Sequence, residues 1–115
     1  MKSERSFAVI ISAFRRGEAD SWKWNVYAHI GESHKLYNKK ECLDLHFHGG
    51  PTFAEKIIYQ KIDMYNFTKG EKSKIFKIGS DYMHLHDDYG DMNPADGIPI
   101  QIQNDAAKLV EELLK

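Results

Sequence analysis

Residues 6 to 14, Ser-Phe-Ala-Val-Ile-Ile-Ser-Ala-Phe, are almost continuously apolar and rich in strand-forming types. Such a run suits a strand covered on both faces, so the pattern predicts the central strand of a sheet. From Trp22 to Ile30 the pattern alternates, with Trp22, Trp24, Val26, Ala28 and Ile30 on one face and Lys23, Asn25, Tyr27 and His29 on the other. This predicts a strand with one buried face. Gly31-Glu32-Ser33 turns the chain, and His34 to Lys40 fits a short helix or an irregular turn. Alternation resumes from Cys42 to His48, with Cys42, Asp44, His46 and His48 on one face and Leu43, Leu45 and Phe47 on the other. Gly49-Gly50-Pro51 ends that predicted strand in a tight turn. Phe53 to Ile62 and Lys74 to Ile78 read as an antiparallel pair joined by a polar connection centred on Lys69-Gly70.

Residues 81 to 97 carry five Asp and no Lys or Arg, together with Gly-Asp, Asn-Pro and Asp-Gly turn signals, and are predicted to form a long loop. Beyond Pro99, Asn104 or Asp105 is a candidate helix cap, with Ala106, Leu109, Val110, Leu113 and Leu114 lining one face of the helix that follows. The elements add up to an α+β fold, an antiparallel sheet of about five strands with a C-terminal helix packed on one face, forming a single domain over residues 1–115.

Length and charge narrow the function. A chain of 115 residues buries roughly two thirds of its unfolded surface, so it needs no metal or disulfide staple, and any metal would serve function. The formal net charge of -1 lacks the Lys/Arg excess of a duplex-binding protein, although it leaves room for a small anionic ligand. Cys42 is the single cysteine, which excludes an internal disulfide and points to a reducing, cytoplasmic setting. The apolar run Phe7 to Phe14 is far shorter than the roughly 20 residues of a membrane span, so no membrane partner is expected.

The histidines are the chemically informative residues. Four of the six fall in two His-x-His pairs, His46/His48 and His84/His86, and the second runs into Asp87-Asp88 with Asp81 just upstream. On a strand such a pair projects both imidazoles from one face, about 7 Å apart. With a loop carboxylate they could hold Zn, Mn, Fe or Mg with open positions for water, and the metal candidates are His48, Asp81, His84 and Asp87. The competing reading is of solvent-facing histidines beside a solvated acidic loop. Gly49-Gly50-Pro51-Thr52 suggests backbone donors and a hydroxyl for phosphate, against an ordinary β-turn. Lys69, Lys72, Lys74 and Lys77 against Glu71 form a locally basic stretch that either attracts an anion or is simply solvated. Tyr27 and Tyr82 are candidates to stack a purine, whereas Trp24 reads as core. Cys42 lacks the surroundings of a nucleophile. Zinc-finger spacing, His-Glu-x-x-His, the Walker loop, the dinucleotide fingerprint and Gly-x-Ser-x-Gly are all missing.

Three segments, His34-Lys35-Leu36-Tyr37, Phe47-His48-Gly49-Gly50-Pro51-Thr52-Phe53 and Ile78-Gly79-Ser80-Asp81-Tyr82-Met83-His84-Leu85-His86-Asp87, occur in an order that resembles a group of small phage and bacterial proteins. That group has a His-Pro-Leu-Tyr turn, a His-Gly-Gly-x-Thr-Phe/Tyr turn and a Gly-x-Asp-x-x-His-x-x-Asp loop. The likeness spans residues 24 to 88; Lys35 stands where proline is usual, and Pro51 lies between the second glycine and Thr52. Carried over, the resemblance singles out His34, His48, Gly49, Gly50, Thr52, Asp81, His84 and Asp87, and leaves His46, His86 and Asp88 as additions of this chain. It implies a phage-type counter-defence protein acting on a bacterial immune signalling nucleotide. Metal-assisted hydrolysis is the leading expectation, with His48, His84 and Asp81 catalytic and His34, Gly49, Gly50, Thr52, Tyr27 and Tyr82 binding the nucleotide. The alternatives are a non-catalytic sponge for the nucleotide, and a protein-binding inhibitor of a host defence complex that acts through the acidic loop. A homodimer through an exposed strand edge fits any of the three.

Overall fold

The alternating segment forms strand β2 (Lys23–Gly31) of a computed structural model that describes residues 6–63, 68–83 and 87–115. Trp24, Val26, Ala28 and Ile30 are buried on one face, where the larger of these side chains contribute about 1.5–3 kcal/mol each through loss of water contact. Three further strands, β1 (Phe7–Phe14), β3 (Phe53–Asp63) and β4 (Thr68–Asp81), complete an antiparallel sheet of order β1-β2-β4-β3. Helix α1 (Ile100–Leu114) lays Ile102, Ala106, Leu109 and Leu113 on the same face. Phe7, Val9, Ile11 and Ala13 of β1 and Phe76 of β4 border that core. Among the described residues the fold is therefore α+β, with four strands and one C-terminal helix on one side of the sheet.

Several expectations change. The apolar run is an edge strand, not the central one: its inner positions meet the helix layer, while Ile10 and Phe14 on the outer face stay 37% and 51% exposed. Continuous apolarity here does not reflect cover on both sides. Residues 42 to 48 form no strand, because Lys40–Asp44 closes into a 3-10 helix in which Leu45 N–H donates to Cys42 O. Cys42, Leu45 and Phe47 point into the core as three anchors. Helix α1 begins at Ile100 directly after Pro99, whose carbonyl accepts from Gln103 N–H, so Asn104 and Asp105 lie within the helix instead of capping it. Lys69 and Gly70 belong to β4, and the connection before it, residues 64 to 67, lies outside the described residues.

Gly79 has a specific reason in the sheet. It sits between Tyr27 and Phe53 in register, and a Cβ there would come within 2.5 Å of Tyr27 Cδ1 and 2.8 Å of Val26 O. The Tyr27 and Phe53 rings meet edge to face above it at 5.2 Å, and Lys77 Nζ lies 4.5 Å from the Tyr27 ring centre.

Candidate functional site

The segment from Leu45 to Thr52 is held from below and displays its histidines above. Leu45 and Phe47 are buried, so His46 and His48 emerge between and beyond them toward the rim of the core. Gly49 and Gly50 adopt φ of 69° and 85°, a left-handed geometry that favours glycine, and reverse the chain. Gly50 N–H closes the turn on Phe47 O at 2.9 Å, and Thr52 N–H docks on Gly79 O at 2.8 Å. His48 is thereby brought beside the residues that follow β4.

Tyr82 is the platform. Its N–H continues the sheet ladder to Trp24 O at 3.0 Å, and its ring is buried at 3% exposure. The His48 ring lies on it nearly parallel, with centres 4.4 Å apart and planes 10° apart, while Tyr89 meets it edge-on at 5.3 Å. His48 Nε2 pairs with Asp87 Oδ1 at 2.6 Å, and the Asp87 side chain is largely buried. A histidine fixed in orientation by a carboxylate and in plane by a ring is suited to move a proton to or from a bound reactant.

Behind the platform stands a second carboxylate. Tyr82 OH donates to Asp105 Oδ2 at 2.5 Å, while His46 Nε2 and Gln101 Nε2 approach Asp105 Oδ1 at 2.8 and 3.0 Å. Burial by itself would raise the Asp105 carboxyl, but hydrogen bonds from Tyr82, His46 and Gln101 outweigh it and hold the group below the ordinary carboxylate range. Burial first, and then the Asp105 carboxylate, push the Tyr82 phenol far above its usual value, so it remains a neutral donor. Glu112 of the same helix accepts His46 N–H at 2.7 Å. Helix α1 therefore grips the histidine segment at two points.

The predicted residues are only partly gathered here. His48 and Asp87 meet, with Gly49 and Gly50 forming the turn beside them. Tyr82 belongs to the site as a buried support, stacked on by His48, met at a steep angle by Tyr89 and left only 3% exposed. Gly50 and Thr52 direct their N–H groups to protein carbonyls, and Pro51 has none, so this turn offers little of a phosphate cradle. Asp81, the last residue of β4, pairs in register with Asn25 and accepts Met83 N–H at 3.2 Å. Tyr27 is on the open face of the sheet beneath Lys77. His34 is elsewhere: its Nε2 meets Leu113 O at 2.8 Å, eight residues and roughly 12 Å along α1 from Asp105. Cys42 is buried, its Sγ donating to Leu36 O, and burial pushes its thiol up. His84 and His86 lie outside the described residues, and among those described no three His, Cys, Asp or Glu side chains converge as a metal site.

Asp105 is the functional neighbour that sequence reasoning missed. It shares the spacing of Ile102, Ala106 and Leu109, and an acidic residue on the apolar stripe of a helix signals a buried polar contact.

No protein-family model, curated protein or solved structure matches this chain.

Proposed function

We propose that the protein hydrolyses a phosphodiester bond in a small signalling nucleotide, with His48 as the acid–base residue and Asp87 orienting it. The observation that carries this reading is the 2.6 Å bond between His48 Nε2 and Asp87, with the imidazole laid flat on a buried tyrosine. A water proton passes to His48 as the oxygen attacks phosphorus, the bond to the leaving oxygen breaks, and that oxygen is protonated. Asp87 stabilises the imidazolium in between. The choice of a phage-type protein and an immune signalling nucleotide rests on the resemblance of residues 24 to 88 to the small phage and bacterial proteins. In the metal-assisted form of the reaction, His48, Asp81, His84 and Asp87 are the proposed ligands, and a divalent ion would supply a more acidic water.

The test is chromatography of cyclic dinucleotides and NAD-derived signals after mixing with purified protein, with and without chelator, and again after heat denaturation. New phosphomonoester products that disappear in His48→Ala and Asp87→Asn are the expected result, and their response to chelator decides the role of metal. Ligand lost from the free pool but returned intact on heating would replace hydrolysis by capture. An untouched panel would transfer the proposal to a protein partner of the acidic loop.

A further inference from the structure

The two edges of the sheet are built differently. Strand β3 carries Glu55 and Lys56, both exposed, and its pairing with β4 slips between Gln60 and Ile62. Charge and irregular register are two common ways of preventing another strand from adding to an edge. Strand β1 has neither. Phe7–Phe14 contains no charged residue and no proline, and its register with β2 is unbroken.

The main chain of β1 is also suitably oriented. Gly31 N–H donates to Ser6 O at 2.7 Å, which sets the phase of the antiparallel ladder. Ala8, Ile10, Ser12 and Phe14 then bond to β2, and the N–H and C=O groups of Phe7, Val9, Ile11 and Ala13 point away from the sheet. Among the described residues, no main-chain group from another segment reaches these four. Along the same edge runs a groove of about 760 Å³, whose apolar lining includes Phe7, Ala8, Val9, Val110, Leu113 and Leu114. Leu114 is 70% exposed there.

We propose that β1 is a dimerisation strand that pairs antiparallel with β1 of a second copy, joining two sheets into one of eight strands. An uncharged strand selects an uncharged partner, and this strand is its own complement. With the two-fold axis at Ile10, Phe7 faces Ala13 of the other copy and Val9 faces Ile11, so every outward N–H and C=O of the four residues finds a mate. Ile10 meets its own symmetry mate on the open face, and Leu114 beside the groove gains apolar neighbours. Phe7–Phe14 brings no charge into the seam, and a net charge of -1 per chain leaves little long-range repulsion.

Sedimentation equilibrium over a range of concentrations, with amide exchange read residue by residue, tests this. The wild type is expected at twice the chain mass of 13.3 kDa, with the Phe7, Val9, Ile11 and Ala13 amides protected at high concentration and exchanging on dilution. Ile10→Lys sets like charges face to face and is expected to weaken the dimer at least about tenfold. Val9→Pro removes one outward N–H that the monomer does not use, and is expected to do the same while preserving the circular dichroism spectrum. A wild type that stays monomeric at about 100 μM, far above a typical specific-dimer dissociation constant, overturns the proposal. So does a dimer in which those four amides exchange freely. Protection that appears only on adding an extended peptide, and not with concentration, assigns the edge to a foreign strand.

Discussion

His34 lies under the C-terminal end of α1, with its Nδ1 accepting Leu36 N–H at 3.0 Å and its Nε2 donating to Leu113 O at 2.8 Å. His48 stands at the other end of the core, with Nε2 on a carboxylate and its ring on Tyr82. Both residues are candidates of the sequence reading, and they differ in what faces the imidazole. An amide N–H on one side and a carbonyl on the other require a single neutral tautomer with the proton on Nε2, which makes His34 a staple between the turn after β2 and the helix. A carboxylate accepts from an imidazole and also stabilises an imidazolium, which is the basis of the acid–base role proposed for His48. Partner chemistry, more than residue type, distinguishes the two histidines.

The sharpest way to break this comparison is to change the partners. Asp87→Asn keeps the shape of the site but removes the charge opposite His48, and is expected to lower the proposed hydrolysis by about 10²–10⁴-fold, as is His48→Ala. His34→Ala is expected to leave kcat/KM within about twofold. If the two histidine variants lose activity equally, the assignment of roles fails. Next in size is Asp105→Ala, which strips an acceptor from Tyr82, His46 and Gln101 and is expected to cost about 3 kcal/mol in urea unfolding. Tyr82→Phe removes a single hydrogen bond and should cost about 1–2 kcal/mol. His34→Ala loses two hydrogen bonds and an edge contact with Phe7, and a loss of about 2 kcal/mol is expected in the same measurement.

The smaller effects appear in pH dependence. Because the Asp105 carboxyl is held down in the fold, the unfolded chain binds its proton more readily. Its stabilisation is complete above the unfolded value of about 3.9 and is lost as pH falls through the folded value. Unfolding curves across that acid range should flatten in Asp105→Asn. His29 is also lowered, by burial first and by Lys77 second. Stability from this group is complete above about pH 6.5 and declines as pH falls toward the folded value, a shallow slope that His29→Gln should remove.

Local pattern carried most of the elements. The alternation of Trp24, Val26, Ala28 and Ile30 identified β2, Gly49-Gly50-Pro51 marked a true left-handed turn, and the apolar stripe after Pro99 located α1. Where pattern misled, the cause lay beyond the segment. Period two from Cys42 to His48 fits a strand equally well, but among the described residues no neighbouring strand pairs with it. Three buried side chains anchor a 3-10 helix and an extended segment instead. Asp105 read as a cap because short polar residues commonly start helices, whereas Pro99 had already started this one.

The candidate site was legible as an inventory of residues. His48 and Asp87 stood in adjacent motifs, but 39 positions apart, and only the turn at Gly49-Gly50, the docking of Thr52 on Gly79 and the continuation of β4 into Tyr82 place one against the other. What the chain by itself determined are the properties that depend on neighbours in sequence: strand period, turn conformation, the amphipathic helix and the absence of a disulfide partner for Cys42. What the tertiary structure decided is which atom faces each titratable group, and hence that His34 is a staple, His48 half of a dyad and Tyr82 a support. Hydrogen bonds and burial act over a few ångströms in space, and a sequence specifies such proximities only through the whole fold.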